Sequence, residues 1–184
     1  MKNVIHIFGA AGSGTTTLGR KISEECGYKH MDTDEYYWLP TEPRFTEKRT
    51  PEERVALMIA DIEKYDNVVI SGALTDWGDE LIPYFTLAIR IHADTNMRIE
   101  RIKNREKLRF GARIEPGGDM YQGHIDFLEW ASMYDNGSIE IRSKAKHDAW
   151  QKQLRCPLLQ LDGSESLSKK FEKIKKILDK QNVK

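Results

Sequence analysis

Residues 9–17 read Gly-Ala-Ala-Gly-Ser-Gly-Thr-Thr-Thr, a spacing of glycines and hydroxyls suited to wrapping backbone amides around a phosphate. Gly9, Gly12 and Gly14 free the chain to take positive φ and to turn its N–H groups toward one point. Ser13, Thr15, Thr16 and Thr17 complete the stretch, and a helix starting there adds unpaired amide donors and a positive dipole end. Set against G-x-x-x-x-G-K-[ST], Gly9 and Gly14 are the two spaced glycines and Thr16 is the hydroxyl that ligates Mg²⁺. Thr15 stands where a lysine would reach the β- and γ-phosphates. Phosphate binding is therefore better supported than catalysis. The plain alternative is a glycine-rich turn that only joins a strand to a helix.

Asp32 and Asp34 form a second constellation. If the chain stays extended through both, alternation puts the two carboxylates on one face. One then holds Mg²⁺ through water, while the other takes a proton from, or hydrogen-bonds to, a substrate hydroxyl; Asp34 is the stronger candidate for substrate contact. The alternative is that one of them caps a helix beginning near Glu35.

Arg98, Arg101, Arg105 and Arg109 recur at three- and four-residue steps along one helix side, with Arg113 beyond. Such a row can clamp a transferring phosphoryl group. Arg98 reads instead as part of an exposed face paired with Glu100 and Glu106, and Arg105, Arg109 and Arg113, nearest a flexible loop, are the candidates to close over a ligand. Tyr36, Tyr37 and Trp38 can stack on a nucleobase or form a small satellite core, and Arg44, Arg49 and Arg54 can meet a phosphate or carboxylate. His6 reads as a core residue. The five histidines show no metal spacing, and Cys26 and Cys156 read as buried thiols.

Strands and helices must hold these groups in place. Val4–Phe8 is an apolar run entering the glycine loop, and Leu18, Ile22 and Cys26 follow at helical spacing. Tyr28–Met31 predicts a second strand, Thr50-Pro51-Glu52-Glu53 a capped helix start, and Val68–Ile70 and Leu87–Ile91 buried strands. The segment around Trp77 and Gly78 stays unassigned. Asp94 or Thr95 caps a helix to about Lys107, helices follow over Ile125–Met133 and His147–Gln153, Pro157–Leu161 is a last strand, and Leu167, Phe171, Ile174 and Leu178 mark a final helix. This alternation predicts a three-layer α/β fold with a parallel sheet, whose ligands sit beyond the strand ends at Gly9–Thr17, Asp32–Asp34, Ser71-Gly72, His92 and Asp162-Gly163.

The 184 residues suit one such domain, 1–184. A formal net charge of +0 argues against a nonspecific nucleic-acid binder and points to a metabolite partner. With no room for a signal peptide before the first strand and no long apolar run, the expectation is a cytoplasmic protein with no membrane partner.

The glycine loop, the continuation Leu18-Gly19-Arg20-Lys21-Ile22, the Asp32-Thr33-Asp34 turn and the arginine-rich helix before a flexible loop resemble the P-loop small-molecule kinases. That group includes shikimate kinase, gluconate kinase and nucleoside monophosphate kinases. The resemblance implies a P-loop NTPase fold, ATP and Mg²⁺, Asp32 near the metal, and Asp34 near the acceptor. It also implies an acceptor-binding insertion over about 35–66, carrying Tyr37, Trp38 and Arg49, and a lid over about 105–122. Ser71-Gly72-Ala73 stands where shikimate kinases carry three glycines; Gly72 remains a substrate-side candidate, and shikimate itself is not indicated. The reading is an ATP- and Mg²⁺-dependent phosphotransferase acting on a small acceptor, a nucleoside or nucleotide among the candidates, with Asp34, Arg109 and Arg113 catalytic. Its rival is a nucleotide-binding regulatory protein that lost catalysis with its lysine.

Overall fold

The computed structural model describes residues 2–182. In chain order it runs β1 (Asn3–Gly9), α1 (Thr15–Cys26), β2 (Lys29–Asp32), α2 (Thr33–Tyr37), α3 (Pro51–Lys64), β3 (Asn67–Ser71), β4 (Leu87–His92), α4 (Thr95–Phe110), α5 (Tyr121–Ser132), α6 (Lys144–Trp150), β5 (Leu158–Asp162) and α7 (Leu167–Asn182). The five strands form one parallel sheet in the order β2-β3-β1-β4-β5. β1 lies at the centre and is buried on both faces, as its continuous apolar run requires.

Strand alternation divides the core. Ile5 and Ile7 of β1 pack with Leu18 and Ile22 of α1 and Phe171, Ile174 and Leu178 of α7. Val4 and Phe8 turn to the other face, against Met58 and Ile62 of α3 and Trp150 of α6. Each such apolar side chain, fully buried, contributes about 1.5–3 kcal/mol. The parallel sheet gathers the carboxyl ends of β1, β2, β3 and β4 at one edge, which is where Gly9, Asp32, Ser71-Gly72 and His92 meet.

Local signals explain most boundaries. Thr50 and Glu53 form a reciprocal capping box at α3, with bonds of 3.2 and 2.9 Å. Asp94 caps α4 by accepting from Asn96 and Met97. Several elements differ from the sequence expectations. The extended backbone stops at Asp32, because its carboxylate accepts the Asp34 amide at 3.2 Å and starts α2, so Asp32 and Asp34 are not alternate residues of one strand. β2 accordingly covers Lys29–Asp32, α4 continues to Phe110, and α5 begins four residues early, at Tyr121. The segment around Trp77 leads into a 3₁₀ turn over Asp79–Tyr84. Cys26 and Cys156 are half-buried and free.

His6 is fully buried and donates from Nε2 to the Gly72 carbonyl at 2.9 Å; its ring stacks near Phe8 and Phe85. Burial pushes its pKa down to about 4 and that of buried His147 to about 3. Both are therefore neutral in the folded chain at pH values where the unfolded chain is protonated. The unfolded state binds more protons below its ordinary histidine pKa, so stability falls as pH drops below about 6.5, by up to about 1.4 kcal/mol per pH unit per histidine. Melting temperature should decline from pH 7 to pH 5, and His6→Gln should flatten that decline whatever it does to the pH 7 value. An identical slope in wild type and variant contradicts the assignment.

Candidate functional site

The loop from Gly9 to Thr15 leaves β1 and enters α1 through two glycines at positive φ, Gly12 at 79° and Gly14 at 100°. Close packing leaves no room for side chains at the first two glycines. A Cβ at Gly9 would meet the Ile91 carbonyl oxygen at 2.6 Å, and one at Gly12 the Arg98 carbonyl oxygen at 2.5 Å. Gly14 differs: nothing lies within 4 Å of its Cβ position, and as N-cap it supplies no side chain to the first amides of α1. Those amides remain open donors toward the cleft, with the helix dipole behind them. Ser13, by contrast, is buried, and its hydroxyl has no protein partner.

Beneath the loop lies Arg98, fully buried rather than on the exposed face its spacing suggested. Its guanidinium donates to the carbonyls of Ala93 at 3.1 Å, Ala131 at 3.1 Å and Ala11 at 3.4 Å, and pairs with Asp135 at 3.1 Å. The helix periodicity gave the correct side for neither packing nor pairing, because the partners come from distant segments.

Thr16, in the first turn of α1, and Asp32, at the end of β2, both line the cleft beside the loop. Burial raises the Asp32 pKa, opposed by the Asp34 amide and by Thr16. This all-oxygen pair suits a hard cation such as Mg²⁺. No cluster of three His, Cys, Asp or Glu side chains able to hold a metal exists among the described residues, so such an ion would depend on phosphate and water for its remaining ligands. Asp34 lines the cleft from the first turn of α2, deep in the concavity. Burial there, and then the Asp32 charge, raise its pKa, while Arg142, Arg105 and Arg109 pull it down.

The cleft holding these groups has a volume of about 1300 Å³ and is lined by eight cationic side chains against five carboxylates. The cations are Arg20, Arg44, Lys48, Arg54, Arg101, Arg105, Arg109 and Arg142. Burial and the neighbouring Arg105 and Arg44 lower the Arg109 pKa, the mark of like charges held close. Tyr37 and Trp38 also line the cleft, but as a satellite cluster: their rings meet edge-on at 4.9 Å, and the Arg54 guanidinium covers Tyr37 at 3.7 Å. Gly72, at φ 119°, touches the cleft and lets Thr33 approach; its Cβ would lie 1.8 Å from the Thr33 hydroxyl oxygen.

The AAA domain family matches residues 5–113, more than half of the chain. The chain belongs to that family. It is 41% identical over 174 residues to the uncharacterized protein YqaC of Bacillus subtilis (strain 168), a match covering 95% of this chain and 96% of that one. Cytidylate kinase of Pyrococcus horikoshii is 34% identical over 115 residues, spanning 57% of this chain and 58% of the enzyme. Among solved structures, shikimate kinase from Bacteroides thetaiotaomicron superposes with a TM-score of 0.55 at 16% identity, over 96% of this chain and 98% of that one. A sugar kinase from Janibacter sp. HTCC2649 gives 0.53 at 15% identity, over 97% and 95%. These structures share the fold, and the resemblance to P-loop small-molecule kinases holds in sequence and in architecture.

The structure thus brings Gly9, Gly12, Gly14, Thr15, Thr16, Thr17, Asp32, Asp34, Tyr37, Trp38, Gly72 and Arg109 to one cleft. Arg113 and Arg49 are not among its lining residues. Arg113 pairs with Asp119 at 2.7 Å and Glu42 at 2.6 Å, and Arg49 donates to the carbonyls of Glu35, Tyr36 and Trp38. Sequence reasoning missed Arg142, which sits just before the Ser143 cap of α6 and lies over the Trp130 ring at 4.4 Å. Its Nε is buried with no partner, and no periodic pattern announces it. A Gly14→Val variant should fold, with a cost of roughly 1–3 kcal/mol for the left-handed backbone. Its Cβ branch fills the open space over the amides, so calorimetry should show Mg-ATP affinity reduced by more than about tenfold, about 1.4 kcal/mol. Unchanged affinity contradicts the site.

Proposed function

We propose that the chain is an ATP- and Mg²⁺-dependent phosphotransferase acting on a small anionic acceptor. The observation carrying this reading is one cleft in which the open amides of Gly14–Thr17, the Asp34 carboxylate and a surplus of arginines face each other. The amides hold the donor polyphosphate. Bound Mg²⁺, near Thr16 and Asp32, would offset charge on the phosphate oxygens.

Asp34 has no ion-pair partner within 4 Å among the described residues, which leaves its lone pairs available to an acceptor hydroxyl. As the acceptor oxygen bonds to the γ-phosphorus, the bond from that phosphorus to the bridging oxygen breaks, the acceptor proton passes to Asp34, and ADP leaves with the electron pair. Arg105 and Arg109 lie on the donor side of the segment 105–122, which serves as a lid, and steady the charge spread over the transferring group. Arg54 and Arg142, also lining the cleft, are stacked on aromatic rings and pre-oriented; they favour an acceptor carrying a phosphate or carboxylate. The cytidylate kinase relative agrees with a nucleoside monophosphate as one such anion.

Thr15 favours a second reading, a regulatory nucleotide binder. A phosphotransfer screen with Mg-ATP against nucleosides, nucleoside monophosphates and sugar acids separates the two. The enzyme reading expects transfer to an anionic member, and Asp34→Asn should lower turnover by roughly a hundredfold or more while ATP affinity stays within about twofold. If no acceptor is phosphorylated by the native chain and Thr15→Lys creates the activity, the regulatory reading replaces it.

A further inference from the structure

The cleft binds polyphosphate with a neutral hydroxyl at the position where the motif carries its cation, so another positive group must be sought among the arginines around it. Most are committed elsewhere. Arg98 is spent beneath the loop, Arg101 donates to the Gly163 carbonyl at 3.1 Å, and Arg113 pairs with Asp119 and Glu42. Arg54 and Arg142 are stacked on the Tyr37 and Trp130 rings.

Arg20 differs from all of these. It lines the cleft, is exposed to it, and has no carboxylate within 4 Å among the described residues. It stands on α1 four residues after Thr16, one helical turn and about 6 Å along the axis. Side chains of a helix lean toward its N-terminus, so a long residue there covers the preceding turn, the one that carries Thr16. Its charge is felt on both sides of the site: it draws the Asp32 pKa down and pushes the Arg109 pKa down. The helix beneath it is fixed. Leu18 and Ile22 are fully buried, and Gly19 packs so near β2 that a Cβ there would meet the His30 ring at 2.7 Å.

We infer that Arg20 supplies, from the second turn of α1, the positive charge at the bound polyphosphate that Thr15 does not. Lys48, Arg44 and Arg105 are alternatives only in charge: Arg44 and Lys48 lie on the loop after α2, and Arg105 has Glu106 beside it at 3.8 Å. Arg20 is carried by a helix whose Leu18 and Ile22 are fully buried, whereas Arg109 lies at the end of α4 beside Gly111. The inference rests on the nucleotide-binding part of the proposed function, and its principal test needs no turnover.

That test is calorimetry of the full chain with Mg-ATP and, separately, with inorganic tripolyphosphate. Arg20→Ala and Arg20→Gln should each weaken both ligands by about tenfold or more, the scale of one charge-assisted contact. Arg20→Lys should retain most of the affinity. Lys21→Ala removes the same charge one residue further on, from a side chain bonded to Glu25 and facing away from the cleft, and should stay within about twofold of wild type. Adding Thr15→Lys to Arg20→Ala should restore binding. Affinity within twofold of wild type in both Arg20→Ala and Arg20→Gln overturns the inference, as does an equal loss in Lys21→Ala. If these affinities behave as expected and no variant transfers phosphate, the phosphotransferase reading fails while the assignment of Arg20 stands.

Discussion

Arg98 is the contact on which the geometry of the cleft depends. Its guanidinium joins Ala11 of the glycine loop, Ala93 after β4, and Ala131 and Asp135 at the end of α5, while its own carbonyl fills the space in front of Gly12. A buried charge is costly unless every donor finds an acceptor, and here three backbone carbonyls, the Thr95 hydroxyl and the Asp135 carboxylate supply them. The result is a loop whose curvature is held from below, leaving the first amides of α1 without a side-chain cap. Preorganised donors of this kind act on charge without reorganising at the moment of binding.

Above that support the site is electrostatically unbalanced. A P-loop with a lysine concentrates one cation at the phosphates; this chain distributes several arginines around a wide cleft instead. Burial first, and then the charges of Arg105 and Arg44, lower the Arg109 pKa, and a bound polyanion would offset those charges. Guanidinium groups suit this arrangement because they remain charged at any physiological pH and meet phosphate oxygens with two parallel donors. Asp32 and Asp34 persist among them for opposite reasons: Asp32 accepts the Asp34 amide, whereas Asp34 is held near cations without being bound to one.

Much of this was legible in the sequence, and the limits have physical causes. The strands and the glycine loop were readable because continuous apolar runs, glycines and a capping box are local signals. The layer arrangement followed from their alternation. The roles of the arginines were not readable, since helical spacing tells which residues share a side and not what lies opposite. Arg98 was placed in solvent by that rule and proved to be the most deeply buried of its row; Arg113 seemed to face the ligand, and the structure pairs it with Glu42 and Asp119. Arg142 had no signal at all, because its place is set by contact with the Trp130 ring, from a segment distant in sequence. Asp32 and Asp34 both line the cleft, but not as alternate residues of one strand, since a side-chain bond to the Asp34 amide turns the strand into a helix between them.

The central claim is that the lysine-free loop is a polyphosphate site whose charge comes from arginines. A crystal structure of the chain grown with Mg²⁺ and a non-hydrolysable ATP analogue tests it most directly. The account predicts the β-phosphate among the amides of Gly14–Thr17, with the Arg20 and Arg109 guanidiniums within hydrogen-bond distance of phosphate oxygens. A nucleotide seated elsewhere, or phosphates in the loop with every arginine turned away, contradicts it.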